Sequence, residues 1–175
     1  MRLTITELDS LSDVDAAFNL TACCGSSAWV ARMLEQRPCR ERKRMLAVAD
    51  NVVGTLQASD WVEAFSHHPR IGERRAAADG PAIAQHWSSG EQAASSDACA
   101  DVRGQIIAAN REYEKRFGFI FIVCANGRSA AEIHSLLRQR LGNSLDEELA
   151  IAAREQQQIT RLRLEKLVPP AEESA

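Results

Sequence analysis

The stretch SLDEELAIAAREQQQITRLRLEKLV, Ser144 to Val168, decides the fold class. Ser144 stands where a helix cap belongs, and Glu147 three residues on completes a capping box. Advancing 100° per residue from Ile159 places Leu145, Leu149, Ala152, Leu162 and Leu167 within about 80° of it, a single apolar stripe on one long helix. Arg163 falls in that stripe, roughly 40° from Ile159, whereas Arg161 points the other way. A guanidinium among apolar neighbours is costly unless paired. Two readings stand for Arg163: an internal ion pair or snorkelling side chain, or a binding group whose forked donors suit a carboxylate or another planar polar substrate.

Working outward, Ser129 opens a helix to about Leu141, closed by Gly142-Asn143. Before it, Phe119 to Cys124 has strand propensity but no second run to pair with, so a buried extended connection is expected. Helical pattern covers Asp97 to Phe117, with Cys99, Val102, Ile106, Asn110, Tyr113 and Phe117 on one face and Gly118 as its C-cap. Asn110 on that face reads as a satisfied core amide. From about 67 to 96 the period lapses among Gly72, Gly80, Pro81 and Gly90, and irregular segments of that length are usually functional. Further upstream, Asp60 is expected to cap a turn through Trp61, Val62 and Phe65. Arg40 to Gln57 reads as a helix with Met45, Leu46, Ala49, Val52, Val53 and Leu56 inward. Its basic first turn, Arg40 to Arg44, suits solvent. Ser26 or Ser27 starts a short helix stopped before Pro38. Ser10 or Ser12 caps one through Ala22, with Val14, Phe18 and Ala22 apolar. The expectation is an all-α, single compact multi-helix domain of about eight helices over 1–168, with 169–175 a disordered tail.

Composition narrows the function classes. The 175 residues are 45% hydrophobic with a net charge of -3, which excludes a disordered chain. No apolar run approaches the ~20 residues needed to span a bilayer, and no secretory signal pattern opens the sequence. A pI near 5.8 argues against nucleic acid as the main partner. Cys23, Cys24, Cys39, Cys99 and Cys124 lack C-x-x-C spacing, and His67, His68, His86 and His134 form no zinc signature. No metal is expected, and catalysis is left to ordinary side chains.

Candidates for that chemistry lie in the irregular segment. Ser66-His67-His68-Pro69-Arg70-Ile71-Gly72 places imidazoles just before a proline, which biases His68 towards extended backbone. Gly90-Glu91-Gln92 follows, with Ser88 before it. A histidine and a carboxylate on loops over a helical scaffold form a workable acid/base pair. A helical ligand-binding domain without catalysis, or a hydrolase, fits these residues as well.

The same segments form an ordered set: His68-Pro69-Arg70-Ile71-Gly72; Ser88-x-x-Glu91-Gln92; Asn110-x-x-Tyr113-x-x-x-Phe117-Gly118-Phe119; Phe121 to Ala125; Asn126-Gly127-Arg128-Ser129; Arg140-Leu141-x-Asn143; and Ile159-Thr160-x-Leu162-Arg163-Leu164. In that order they resemble the 2-oxo-4-hydroxy-4-carboxy-5-ureidoimidazoline (OHCU) decarboxylases of urate degradation, from about Thr4 to Val168. The resemblance implies an all-helical homodimer that needs no cofactor and converts the small molecule OHCU to (S)-allantoin. It implies His68 and Glu91 as catalytic residues. It implies Pro69, Ser88, Gln92, Ile122, Val123, Cys124, Ala125 and Arg163 as substrate contacts. Ile120 departs from the family's frequent proline, and His67 adds an imidazole beside the motif. A cytoplasmic location is expected, because Glu172-Glu173-Ser174-Ala175 is no peroxisomal S-K-L address.

Overall fold

The computed structural model describes residues 2–72, 87 and 100–170. Among them are eight helices and no strand, so the all-α expectation holds. They are α1 (Ile5–Ser10), α2 (Asp13–Cys23), α3 (Ser27–Glu35), α4 (Arg42–Val53), α5 (Ala58–Ser66), α6 (Ala100–Phe117), α7 (Ala130–Arg140) and α8 (Leu145–Leu167). None of them is long and apolar enough to cross a membrane. The chain divides into two compact units, Met1–Ala64 with Gln157–Ala175, and Phe65–Gln156.

In the first unit, serine and threonine caps set the helix starts. Thr4 and Glu7 form a capping box on α1, while Ser12 and Ser26 cap α2 and α3. The Arg37 guanidinium gathers the carbonyls of Leu8, Asp9 and Leu11 at 2.5–3.2 Å, satisfying the open C-terminal end of α1, and reaches the Asp13 carboxylate at 3.0 Å. The last turn of α8 is tied in by Leu3 N–H to the Leu167 carbonyl (2.8 Å) and Arg42 Nε to the Val168 carbonyl (2.8 Å). Trp29, Met33, Met45, Leu46, Ala49, Leu164 and Leu167 are buried.

Three expectations need correction in this unit. Val14 and Phe18 are 79% and 59% exposed. Ala22 is buried as expected, but the rest of the inner face of α2 is Ala16, Asn19, Leu20 and Cys23; Val14 and Phe18 lie roughly 120–160° around the ideal wheel from Leu20. Helix α4 starts at Arg42 rather than Arg40 because the Asp9 carboxylate holds the Cys39 and Arg40 amides (2.9 and 2.7 Å), with Arg40 at φ 65. It stops at Val53, before Gly54. Helix α5 begins at Ala58, and Asp60 reaches back to accept the Gln57 amide at 2.8 Å.

In the second unit, α6 packs on α7. Gly118 at φ 77 ends α6, and its amide returns to the Glu114 carbonyl at 2.9 Å. Phe119 and Phe121 to Ala125 are then buried without strand pairing, as expected of an extended connection. Their aromatic rings pack on α6: Tyr113 lies 5.9 Å from Phe119 and 5.3 Å from Phe121, and Phe65 lies 5.3 Å from Phe119. Ser129 and Ser144 form capping boxes with Glu132 and Glu147. Leu145, expected inward, is 55% exposed, since it sits in the first turn of α8.

Candidate active site

The segment carrying His68 is pinned residue by residue. Helix α5 runs out at Ser66, and the His68 amide turns back to the Phe65 carbonyl at 3.0 Å. Arg70 makes a two-armed ion pair with Glu114 of α6 (2.9 and 2.6 Å), which holds the Glu114 carboxyl below its usual range. Asn110 donates to the Ile71 carbonyl at 2.8 Å, so the inward amide of α6 is satisfied, as its position in the sequence suggested. Arg103 donates to the Gly72 carbonyl at 2.8 Å. The position of Gly72 suits glycine because its φ is 83, a left-handed conformation that other residues rarely adopt. This sets His68 and Pro69, both half-buried, just before a backbone that α6 fixes at three successive residues.

The expected pocket wall belongs to the same unit. Ile122, Val123, Cys124 and Ala125 are all buried. Arg140, at the end of α7, lies over the Phe121 ring at 4.5 Å and donates from Nη1 to the Ile122 carbonyl at 2.8 Å. The Cys124 amide donates to the Glu155 carboxylate at 2.7 Å, and Arg128 stands 3.5 Å from its other oxygen.

Behind this wall is a buried polar cluster. One oxygen of Glu148, which has no exposed surface, accepts from Arg140 Nε and Nη2 (2.7 and 2.5 Å) and from the Tyr113 hydroxyl. The other accepts from Asn143 at 2.7 Å. Burial first, and then the bond to the Glu148 carboxylate, push the Tyr113 phenol far above its ordinary range. Glu148 and Glu155 were not among the residues expected from the sequence, although both carried a signal: on the wheel that singled out Arg163, Glu148 stands about 20° and Glu155 about 40° from Ile159.

Arg163 belongs to the first unit and is buried, with Nη1 donating to the Ala22 carbonyl at 3.2 Å. The nearby Cys24 thiol is pushed up to about 11 by burial, against downward pulls from Ser26, Thr160 and Arg163. His68, Pro69 and Ile122 to Ala125 thus share one unit and Arg163 lies in the other. Ser88, Glu91 and Gln92 lie outside the described residues. Among the described residues no group of three or more His, Cys, Asp or Glu side chains is placed to hold a metal ion.

A model of the OHCU decarboxylase family matches residues 9–165. The uric acid degradation bifunctional protein TTL of Arabidopsis thaliana is 37% identical over 145 residues, covering 83% of this chain and 45% of that protein. An OHCU decarboxylase of Halalkalicoccus jeotgali is 27% identical over 175 residues, covering 97% of this chain and 94% of its own. A crystal structure of an OHCU decarboxylase in the presence of (S)-allantoin superposes with a TM-score of 0.74 at 34% identity, covering 90% of this chain and 98% of that one. The chain spans only 32% to 45% of the length of the bifunctional uric acid degradation proteins it matches.

Proposed function

This chain belongs to the OHCU decarboxylase family, and from that premise we propose that it decarboxylates OHCU stereospecifically to (S)-allantoin and CO2 in urate degradation. The observation that carries the reading is the fixed posture of the His68 segment. The His68 amide is anchored on Phe65, the following Arg70, Ile71 and Gly72 are held by α6, and the Phe65–Phe119 ring contact joins that anchor to the start of the 119–125 wall.

The chemistry asks little beyond positioned side chains. The carboxylate leaves a ring carbon that also bears a hydroxyl, and the electron pair of the broken C–C bond moves into the adjacent ring C=N. One proton then enters the ureido-bearing carbon from one face, while the hydroxyl becomes the ring carbonyl and its proton is balanced by the one taken up at the former C=N nitrogen. The ring is its own electron sink, so the reading needs no cofactor. His68, partnered by Glu91, is proposed to bond the hydroxyl and carboxylate region and to donate that proton. Ser88, Gln92, Pro69 and the Ile122–Ala125 main chain are proposed to hold the ring and ureido group, with Arg163 anchoring a substrate oxygen or the carboxylate. The Cys124 amide is already engaged by Glu155, which directs the main-chain contacts to its neighbours. The same reading makes the enzyme a cytoplasmic homodimer.

The test is product stoichiometry from freshly generated OHCU. One CO2 per (S)-allantoin, formed above the spontaneous rate and with neither ammonia nor urea, supports decarboxylation. Release of ammonia or urea would make the protein a hydrolase instead. Sedimentation of the purified protein at the mass of two chains tests the dimer.

A further inference from the structure

Two charged side chains hold the candidate wall from behind, and neither belongs to the residues that the family resemblance assigns to the site. We propose that Glu155 and Arg140 are positioning residues for substrate recognition, each fixing one peptide plane of the 122–124 segment so that the main chain of Val123 faces the substrate's ureido or ring-amide group.

In a planar trans peptide, C=O and N–H point in opposite directions. The Ile122 carbonyl and the Val123 amide share one plane, and Arg140 Nη1 holds that carbonyl at 2.8 Å. The Val123 amide therefore points away from Arg140. The Val123 carbonyl and the Cys124 amide share the next plane, and Glu155 holds that amide at 2.7 Å. The Val123 carbonyl therefore points away from Glu155. Both clamps are charge-assisted and so are strongly directional. Arg140 is itself immobilised by Glu148 and by stacking over Phe121, and Glu155 is braced by Arg128.

What the clamps aim is a donor and an acceptor on one residue. Val123 is 5% exposed, and no described residue supplies a hydrogen-bond partner to its N–H or C=O. Buried main-chain groups are ordinarily paired. An N–H and C=O pair matches the N–H and C=O of a ureido group or cyclic amide, and OHCU and allantoin carry both. The inference rests on the proposed function for the identity of the ligand, and it adds the residues that set recognition.

Replacing Arg140 also breaks its buried pair with Glu148, so variants of Glu155 carry the test. Binding of (S)-allantoin is measured by calorimetry for wild type, Glu155→Ala and Glu155→Gln, alongside the KM and kcat for OHCU and the melting temperature. Glu155→Ala should weaken allantoin binding and raise KM about tenfold, equivalent to about 1.4 kcal/mol, with a smaller change in kcat. Glu155→Gln keeps an acceptor oxygen for the Cys124 amide and should recover most of that loss. A lowered melting temperature with unchanged Kd and KM in Glu155→Ala would overturn the proposal, as would equal losses in both variants. Wild-type protein that does not bind allantoin would overturn it too. Wild-type protein that binds allantoin without turning over OHCU would refute the decarboxylation and leave the positioning role to be judged on the Kd values.

Discussion

Substituting Glu148 with alanine removes the centre of the buried cluster behind the 121–125 segment. In the native protein its carboxylate accepts from Arg140 through two nitrogens and from Tyr113 and Asn143, with no exposed surface. After the substitution the Arg140 guanidinium, itself only 5% exposed, has lost its counter-charge and retains the Ile122 carbonyl and the Phe121 face. Breaking one partner of a buried pair costs about 3–5 kcal/mol, because the remaining charge stays desolvated. For a chain of this size each kcal/mol lowers the melting temperature by about 2–4 °C, so Glu148→Ala should melt roughly 6–20 °C below wild type. Urea unfolding gives the free energy directly, and an unchanged m value shows that the comparison is like for like. The double variant Arg140→Met with Glu148→Leu should cost much less than the sum of the single variants, since apolar replacements remove both desolvation penalties together. A loss below about 1 kcal/mol for Glu148→Ala, the size of a surface ion pair, would refute the reasoning. Strict additivity in the double variant would refute it as well.

Tyr113 is the sole tyrosine, so tyrosinate absorbance reports it alone. Its raised pKa means that the stability it carries is present below the unfolded value of about 10 and is lost as pH rises above it. Tyrosinate should appear together with the loss of helical circular dichroism, and titration near pH 10 in a folded protein would contradict this. For Glu114 the sign is opposite. Its lowered pKa gives stability present above the ordinary value of 4.5 and lost as pH falls through the folded value, so Arg70→Ala should flatten the acid limb of the melting-temperature curve. An unchanged acid limb would remove the pair from the account. Cys24, buried and pushed up to about 11, should resist alkylation near pH 8 until the protein unfolds. Mass mapping of modification at Cys24 in the native state would count against that burial.

The fold was legible where local chemistry and burial agree. Ser12, Ser26, Ser129 and Ser144 each mark a helix start because a capping hydroxyl acts within three residues of itself. The boundaries that slipped depend on distant groups. The Asp9 carboxylate delays α4 by holding Arg40 out of the helix, and nothing near Arg40 in sequence announces Asp9. The inner face of α2 was misread because Val14 and Phe18 are the larger apolar residues, whereas the buried positions are Ala16, Asn19, Leu20, Ala22 and Cys23. In the site, Asn110 was legible because a lone amide on an apolar stripe must find a partner, and it finds the Ile71 carbonyl. Glu148 sat on the same wheel as Arg163 and went unread among the acidic residues of a helix's first turn, where carboxylates ordinarily face solvent. Glu155 also sat on that wheel, about 40° from Ile159, but its partner was not legible, because the bond arises only when a connection without strand partners needs a group to accept from its amide.

The enantiomeric composition of the allantoin formed from fresh OHCU tests the central claim most directly, measured for wild type and His68→Ala at equal concentrations of folded protein. The account predicts (S)-allantoin from wild type well above the spontaneous rate, and a kcat lowered by about 10²–10⁴-fold in His68→Ala, the range for loss of a positioned proton donor. Racemic product at the spontaneous rate from wild type, or unchanged stereospecific turnover by His68→Ala, would contradict it.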